Sequence, residues 1–237
     1  MYNFFKRFSD LIFSIAGLII ISPLFLFIML ILSVTGEKEI FYLQERMGFL
    51  NRPFGIIKFA SMLKNSMNMG KKTVTLRNDF RITSVGKFLR ISKLNEIPQI
   101  LNVVKGDMSL VGPRPLLIQS YYKYHPDVQK IIYQNRPGIT GLGSLVFRDE
   151  EKLVSTYHKT GRDPLEYYKL YIYPYKGALE TWYFHHISFW TDSTILLLTI
   201  LSLFFKNSAL VYKVFKTIPQ KPKELSLAWI QSLDQQI

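Results

Sequence analysis

The uncharged, strongly apolar run Leu11–Val34 constrains this chain more than any other feature of its sequence. As a helix, a run of this length covers roughly 36 Å, enough for the ~30 Å hydrocarbon layer of a bilayer. The run is too long for a cleaved signal peptide, and no small-residue cleavage site follows it. The sequence therefore predicts a membrane element in residues 1–36.

The middle of this run carries a helix-breaking pair, Ser22-Pro23. Proline removes one helical hydrogen bond and clashes with the preceding turn. Lys6 and Arg7 precede the run and Lys38 follows it, and the positive-inside rule places both cationic ends in the cytoplasm. These features favour a re-entrant helix–break–helix that enters and leaves one leaflet. A kinked single span is the alternative, because proline is tolerated in spanning helices.

Charge and cysteine content limit the classes of partner and site. The chain of 237 residues has a formal net charge of +13 and no cysteine. A disulfide scaffold and a cysteine-ligated metal site are therefore excluded. The positive charge predicts an anionic partner, either nucleic acid, anionic lipid or a phosphorylated small molecule. Because no nucleic-acid-binding motif accompanies the charge, we expect no nucleic-acid partner.

Short predicted elements follow the membrane segment. Residues 54–62 form an apolar run of strand length in which Lys58 is the only charge. Residues 84–106 read as two helices, the second of which begins near Asn95 and stops at Gly106. Residues 195–205 predict a helix that is too short to span a bilayer and is therefore core or interfacial.

Basic residues in glycine- and proline-rich turns carry the clearest chemistry. Arg114 lies in GDMSLVGPRP (106–115), and Arg136 lies in NRPGITG (135–141). Arginine suits bidentate contacts to phosphate, and lysine acts as a point charge. Together with a carboxylate at a predicted helix start and the membrane element, these residues indicate a site for a phosphorylated ligand close to the bilayer.

Two motifs carry a specific resemblance to a known family. Residues 87–115, KFLRISKLNEIPQILNVVKGDMSLVGPRP, and residues 135–141 resemble the core of the bacterial sugar transferases, the monotopic polyprenyl-phosphate phosphoglycosyl transferases. QERMG (44–48) and IIKFASM (56–62) fit the same pattern. The resemblance covers about residues 2–200 and matches the minimal, catalytic-core form of the family.

The resemblance implies a fold, an activity and a location. The expected fold is α/β, mostly α, with a re-entrant membrane hairpin in 1–36 and a compact cytoplasmic catalytic domain with amphipathic interfacial helices in 37–205. A basic C-terminal tail, lipid-bound or loosely ordered, is expected in 206–237. The implied reaction is the Mg2+-dependent transfer of a sugar 1-phosphate from a UDP-sugar to undecaprenyl phosphate, giving undecaprenyl diphosphate sugar and UMP. This would be the first membrane step of a bacterial surface glycan such as an exopolysaccharide, on the cytoplasmic face of the inner membrane, with membrane lipids and downstream glycosyltransferases as partners.

The resemblance also assigns roles to residues of this chain. Asn95 and Glu96 stand at the catalytic dyad, and Glu96 is also the expected metal ligand. Lys58, Arg90 and Arg114 stand at phosphate-binding positions, and Ser22-Pro23 at the helix break. Further substrate-site candidates are Arg136, Glu180 and Asp192.

Asn95 departs from the family pattern, in which this residue is an aspartate that acts as a covalent nucleophile. An amide is a very poor nucleophile and a weaker Mg2+ ligand than a carboxylate. Glu96 could take over as nucleophile, or the lipid phosphate could attack directly in a ternary complex. The chain could also have lost transfer activity and remain a membrane-anchored, ligand-binding partner of a glycan assembly complex. Deamidation of Asn95 would restore an aspartate at this position.

Three further positions depart from the family pattern. Glu180 replaces the usual aspartate, Ala60 replaces an arginine, and GLGSLVFRDEE (141–151) replaces the pattern G-x-A-Q-V-x-G-R. Because that last loop is expected to contact the sugar, the choice of sugar is the least transferable inference.

Overall fold

The computed structural model describes residues 2–64, 66, 80–204 and 209–234, and within them the chain is a mostly helical α/β protein. The strands are β1 (Phe41–Met47), β2 (Pro53–Phe59), β3 (Ser109–Val111) and β4 (Gly138–Thr140), and β1 pairs with β2 and β3 with β4. The helices are α1 (Tyr2–Val34), α2 (Ser84–Ile91), α3 (Gln99–Lys105), α4 (Ile118–Tyr121), α5 (Pro126–Ile132), α6 (Leu142–Val146), α7 (Glu150–Lys159), α8 (Pro164–Tyr167), α9 (Tyr173–His185), α10 (Phe189–Phe204), α11 (Ala209–Val214) and α12 (Leu227–Asp234). A π-helical turn, Tyr168–Ile172, joins α8 to α9.

The chain divides into two compact units. The N-terminal unit comprises residues 3–46 and 54–108, and the C-terminal unit comprises residues 1–2, 47–53 and 109–237.

Helix α1 of the N-terminal unit contains one stretch, Phe4–Val34, that is long and apolar enough to cross a membrane. The sequence predicted two helices separated by Ser22-Pro23, but the helix continues through this pair. Pro23 has no N–H to donate to the carbonyl of Ile19, and the Ser22 hydroxyl donates to that carbonyl instead, at 2.7 Å. The prediction of a break in the helix was therefore wrong, because the neighbouring serine satisfies the acceptor that proline leaves unpaired.

Both ends of α1 contact the rest of the N-terminal unit. Near its start, the guanidinium of Arg7 donates to the carbonyls of Val103 (2.6 Å) and Val104 (3.0 Å) in the last turn of α3. Near its end, the Phe25 ring lies 5.0 Å from the ring of Phe59 on β2. The buried side chains of this second contact are Phe25, Ile28, Leu32, Phe59 and Leu89.

A parallel strand pair lies at the start of the C-terminal unit. Ser109 of β3 is opposite Gly138 of β4, and Val111 is opposite Thr140. Helices α6, α9 and α10 supply fully buried side chains to the adjoining core, among them Leu142, Leu179 and Ile195. The carboxyl ends of both strands lead into the arginine-bearing and glycine-rich turns that the sequence analysis singled out.

The described part of the predicted C-terminal tail, residues 209–234, belongs to this core. The Tyr175 hydroxyl of α9 lies 2.8 Å from the Tyr212 hydroxyl and donates to the carbonyl of Pro219 at 2.8 Å. The prediction of a separate, lipid-bound or loosely ordered tail was wrong for these residues, because apolar side chains between the lysines are buried. They are Val211, Ile218, Leu225, Ile230 and Leu233.

Helix α10 is longer than predicted and has two different faces. It begins at Phe189 rather than near residue 195, and the Ser188 hydroxyl accepts the N–H of Thr191 at its start. Ile195 and Leu198 are buried, whereas an apolar set remains exposed: Phe189, Trp190, Leu197, Ile200 and Phe204. An apolar face of this kind on a short helix is typical of an interfacial element.

Candidate active site

An ion pair in the N-terminal unit brings together two residues that the sequence analysis selected. The ammonium of Lys58, on β2, lies 3.0 Å from Oε1 of Glu96, and their side chains are 15% and 30% exposed. Glu96 ends a 3₁₀ turn, Leu94–Glu96, that follows Lys93 in the left-handed conformation (φ 62°). Charge-assisted hydrogen bonds are shorter and stronger than neutral ones, so Lys58 fixes the position of this carboxylate.

Asn95 has a different environment from Glu96. Its side chain is buried, with 7% of the residue exposed. The predicted helix start near Asn95 was wrong, since α3 begins at Gln99 with Pro98 at its N-cap position. Asn95 therefore caps no helix, and the dyad consists of a buried amide beside a partly accessible carboxylate.

A buried amide of α3, Asn102, positions the strand that carries Lys58. Its Oδ1 accepts the N–H of Ile57 at 2.9 Å, and its Nδ2 donates to the carbonyl of Gly55 at 2.9 Å. Asn102 has no exposed surface. It was not selected from the sequence, because a polar residue on a helix face is usually read as solvent-facing.

Arg90 belongs to the same unit and lies in the last turn of α2. The backbone N–H of Lys93 donates to the carbonyl of Arg90 at 3.3 Å, which joins α2 to the turn that carries Glu96. The N-terminal unit thus places the Glu96 carboxylate and two of the three predicted phosphate-binding cations on neighbouring elements.

Arg114, the third predicted phosphate-binding cation, lies in the C-terminal unit on the turn after β3. Its carbonyl accepts a hydrogen bond from the fully buried Tyr133 hydroxyl at 2.8 Å, and that hydroxyl accepts the N–H of Leu116 at 2.8 Å. The backbone N–H of Arg114 donates to the carboxyl group of Glu180. Both sides of this residue's backbone are therefore held by the protein.

Glu180 is a buried acid on α9, with 6% of the residue exposed. Burial raises its pKa from 4.5 to about 8, although nearby Lys176 and the Arg114 N–H oppose this shift. The ammonium of Lys176 is paired with Oε2 of Glu150 at 2.7 Å, and burial lowers the pKa of Lys176. Glu180 is therefore largely protonated at neutral pH.

Arg136 and Asp192 have partners of their own within the C-terminal unit. The guanidinium of Arg136 lies over the Phe49 ring, 4.8 Å from its centroid, which is a cation–π contact. Asp192 is buried and accepts a hydrogen bond from the Tyr183 hydroxyl at 2.7 Å. Burial and the Asp192 carboxylate raise the pKa of Tyr183 well above its usual value. Asp192 thus orients a core tyrosine.

Arg148, between α6 and α7, is a cation that the sequence analysis did not select. Its Nη1 is buried and has no hydrogen-bond partner within the described part of the chain. A buried guanidinium nitrogen without a partner is an unmet donor, which is uncommon in proteins. Arg148 lies in the segment 141–151 that was expected to contact the sugar, but no single residue of that segment was selected.

The carboxylates and histidines of the described residues include no cluster of three or more groups that could hold a metal ion. Mg2+ frequently binds through one or two carboxylates together with substrate phosphates rather than in an all-protein cage. The single carboxylate of Glu96 fits a magnesium site of this kind, in which phosphate oxygens of the substrate supply other ligands.

Comparison with known proteins identifies the family of this chain. The family model for bacterial sugar transferases matches residues 1–206. The chain belongs to the bacterial sugar transferase family. The family match ends before α11, so the buried segment 209–234 lies outside it.

Several curated relatives of this bacterial sugar transferase carry specific names. It is 36% identical over 208 residues to UDP-glucose:undecaprenyl-phosphate glucose-1-phosphate transferase of Klebsiella pneumoniae, covering 86% of this chain and 41% of the relative. It is 34% identical over 211 residues to undecaprenyl-phosphate galactose phosphotransferase of Salmonella typhimurium, covering 83% and 40%. An uncharacterized sugar transferase of Bacillus subtilis, EpsL, is 32% identical over 195 residues, covering 82% and 85%. The chain thus spans about two fifths of the length of the first two relatives.

Proposed function

We propose that this chain transfers a sugar 1-phosphate from a UDP-sugar to undecaprenyl phosphate, giving undecaprenyl diphosphate sugar and UMP. The family match and the names of the Klebsiella and Salmonella relatives support the reaction class. The observation that carries the proposal is the Glu96 carboxylate, held by Lys58 at 3.0 Å and partly accessible. Such a group suits nucleophilic attack on phosphorus beside a cation that neutralises phosphate charge.

The reaction is proposed to proceed in two displacements at one phosphorus atom. An oxygen of Glu96 forms a bond to the sugar-bearing phosphorus, and the bond from that phosphorus to UMP breaks. A phosphate oxygen of the lipid then forms a bond to the same phosphorus, and the bond to Glu96 breaks. Buried Asn95 takes no covalent part, because its amide is a very poor nucleophile.

Cationic side chains are proposed to bind the negatively charged groups of both substrates. The cations assigned to phosphate groups are Lys58 and Arg90 in the N-terminal unit and Arg114 in the C-terminal unit. Arg148 joins this set because its buried Nη1 lacks a partner within the described residues. Mg2+, when bound through Glu96 and the diphosphate, would neutralise charge on the leaving group.

The sugar is left open by this proposal. The names of two relatives specify glucose and galactose, although both relatives are similarly distant from this chain. The segment 141–151, which comprises α6 and the start of α7 and differs from the family pattern, is expected to contact the sugar.

We further propose that α1 bends at Ser22-Pro23 without losing its helical structure, and so enters and leaves the cytoplasmic leaflet of a bacterial inner membrane without crossing it. Arg7 binds the end of α3, and Phe25 contacts Phe59 of β2, so both ends of α1 are attached to one unit. Asn102 connects β2 to α3. A helix that spans the bilayer would place its two ends about 30 Å apart on opposite sides of it. Strand β2 and α3, which are hydrogen-bonded to each other, would then not contact both ends of α1.

Membrane lipids are the expected neighbours of two apolar surfaces, α1 in the N-terminal unit and the exposed face of α10 in the C-terminal unit. The product would be the first lipid-linked intermediate of a bacterial surface glycan. Downstream glycosyltransferases would therefore be the functional partners of this chain.

The test is a UMP-release assay on detergent-solubilised chain with undecaprenyl phosphate, Mg2+ and a panel of UDP-sugars. We expect UMP release with one or a few sugars and its loss in Glu96→Gln. The Asn95→Asp variant is the matched control, because it restores the carboxylate that the family pattern has at this position. Absence of UMP release with every sugar, in both wild type and Asn95→Asp, would refute the proposed function.

The two-step route has its own test. With UDP-sugar and no lipid acceptor, we expect one equivalent of UMP per active protein and a mass increase by one sugar phosphate on the Glu96 peptide. Steady turnover that begins only when both substrates are present, with no mass increase, would exclude the Glu96 intermediate and favour direct attack by the lipid phosphate.

A further inference from the structure

Two turns of the C-terminal unit lie against each other at the carboxyl ends of β3 and β4. The N–H of Gly112 donates to the carbonyl of Thr140 at 3.0 Å, and the N–H of Gly138 donates to the carbonyl of Pro113 at 2.9 Å. A side chain on Gly141 would collide with the carbonyl of Gly112. The turn that carries Arg114 lies so close to the turn 141–144, which includes the first three residues of α6, that no side chain fits between the two backbones.

The carboxyl group of Glu180 contacts both of these turns. It accepts the backbone N–H of Arg114, and its Oε1 lies 2.7 Å from the point where a Cβ on Gly143 would be. Real Cβ atoms do not approach a neighbour that closely, so a side chain at 143 would force the end of the buried Glu180 side chain to move. Its other oxygen, Oε2, is buried and has no hydrogen-bond partner within the described residues.

The neighbours of Glu180 and Arg114 form contacts of their own. The nearest cation on α9, Lys176, is occupied by Glu150 at 2.7 Å and lies over the Phe147 ring, 4.9 Å from its centroid. The Tyr133 hydroxyl holds the carbonyl of Arg114 from the other side. The Arg114 backbone is thus held between Glu180 and Tyr133.

We propose that Glu180 is a positioning residue that sets the separation of the two turns, and with it the place where the Arg114 side chain meets a substrate phosphate. Gly143 and Glu180 act as a pair, because the missing side chain at 143 leaves the space that the carboxyl of Glu180 occupies. Its ligand, the diphosphate of a UDP-sugar, rests on the proposed function.

The test is a double-mutant cycle with Gly143→Ala, Glu180→Asp and the double variant. Gly143→Ala places a methyl group against the carboxyl, and we expect at least a tenfold higher KM for the UDP-sugar with a smaller change in kcat. Glu180→Asp withdraws the carboxyl by one methylene and should also raise KM. In the double variant the shorter acid makes room for the methyl group, so KM should fall at least fivefold below that of Gly143→Ala.

The matched control is Gly17→Ala in α1, whose Cβ would lie at an ordinary 3.4 Å from Ile100. It should leave KM within twofold of wild type. KM changes that simply multiply in the double variant would overturn the proposal. So would coupling that appears in the melting temperature while KM stays unchanged, because that result would describe packing without positioning.

The binding of UDP separates this proposal from the proposed function. Binding and thermal unfolding need no turnover, so the cycle can be measured even in an inactive protein. If no UDP-sugar gives UMP, isothermal titration with UDP replaces KM, and non-additive changes in Kd are then the supporting result. Additive changes in both melting temperature and Kd overturn the positioning role whatever the reaction is.

Discussion

Lys58 and Glu96 form an ion pair at 3.0 Å whose side chains are only 15% and 30% exposed. A second lysine–glutamate pair of the same unit, Lys64 and Glu39, is shorter at 2.6 Å but is 67% and 43% exposed. Exposed ion pairs contribute little to stability or positioning because water and salt screen them. The chain therefore provides two pairs of equal chemistry and different burial.

The first prediction compares these two pairs. Lys58→Met should lower kcat for UMP release by about 100-fold, because it removes both the partner of Glu96 and a cation next to the phosphate. Lys64→Met should change kcat by less than about twofold. Initial rates at saturating UDP-sugar measure both effects. Equal losses in the two variants would contradict a specific role for Lys58.

The second prediction concerns the amide that connects α3 to β2. Asn102→Ala removes two hydrogen bonds, to the N–H of Ile57 and to the carbonyl of Gly55, and each such bond contributes about 0.5–1.5 kcal/mol. The melting temperature should fall by several degrees, and kcat should fall with it because Lys58 adjoins Ile57. Gln134→Ala, at an exposed position, is the control and should melt like wild type. A melting temperature of Asn102→Ala equal to that of the control would show that the amide does not support the strand.

The third prediction follows from the pKa of Glu180, which is raised to about 8. Between about pH 5 and pH 8, the folded chain keeps a proton that the unfolded chain has released. The free energy of unfolding should therefore fall as pH rises through this window, by at most about 1.4 kcal/mol per pH unit from this group. Glu180→Gln cannot titrate and should make the decline shallower.

Urea unfolding at pH 5, 6, 7 and 8 measures this slope. Glu166→Gln, at an exposed position of the same unit, is the matched control and should keep the wild-type slope. A Glu180→Gln slope equal to that of wild type would show that Glu180 is already ionised in the folded protein at pH 5.

The fourth prediction concerns the tyrosine that binds the segment outside the family match. Tyr175→Phe removes the hydrogen bond to the Pro219 carbonyl and the contact to the Tyr212 hydroxyl, a loss of about 1–2 kcal/mol. The midpoint of thermal unfolding should fall by a few degrees, whereas Tyr122→Phe, at an exposed position, should leave it unchanged. Equal melting temperatures of the two variants would mean that these bonds do not hold the segment.

Local signals in the sequence predicted several elements correctly. The apolar run around Lys58 is β2, and Gly106 terminates α3 with φ 101°. Each of these features depends on interactions within a few residues of the signal. Apolar residues of strand length and the left-handed conformation open to glycine are sufficient to specify them.

The errors arose where a distant or lateral contact decides the outcome. A proline in a helix predicts a break, but the Ser22 hydroxyl supplies the missing donor to Ile19. Asn95 has the residue type of a helix cap, but the left-handed Lys93 and Pro98 displace the start of α3 to Gln99. The roles of Asn102 and Gly143 depend on partners 45 and 37 residues away in the chain, and spacing within the sequence does not indicate them.

Because residues 209–234 contribute to the core, the end of the family match at residue 206 is not an end of the folded unit. A recombinant fragment cut at the family limit would lose Val211, Ile218, Leu225 and Ile230 from the core and would leave Tyr167 and Tyr175 without their acceptors at Glu224 and Pro219. Insolubility or weak activity of such a fragment would reflect the place of the cut rather than the chemistry of the enzyme. Chimeras that exchange sugar specificity between relatives should therefore carry this terminal segment together with α9.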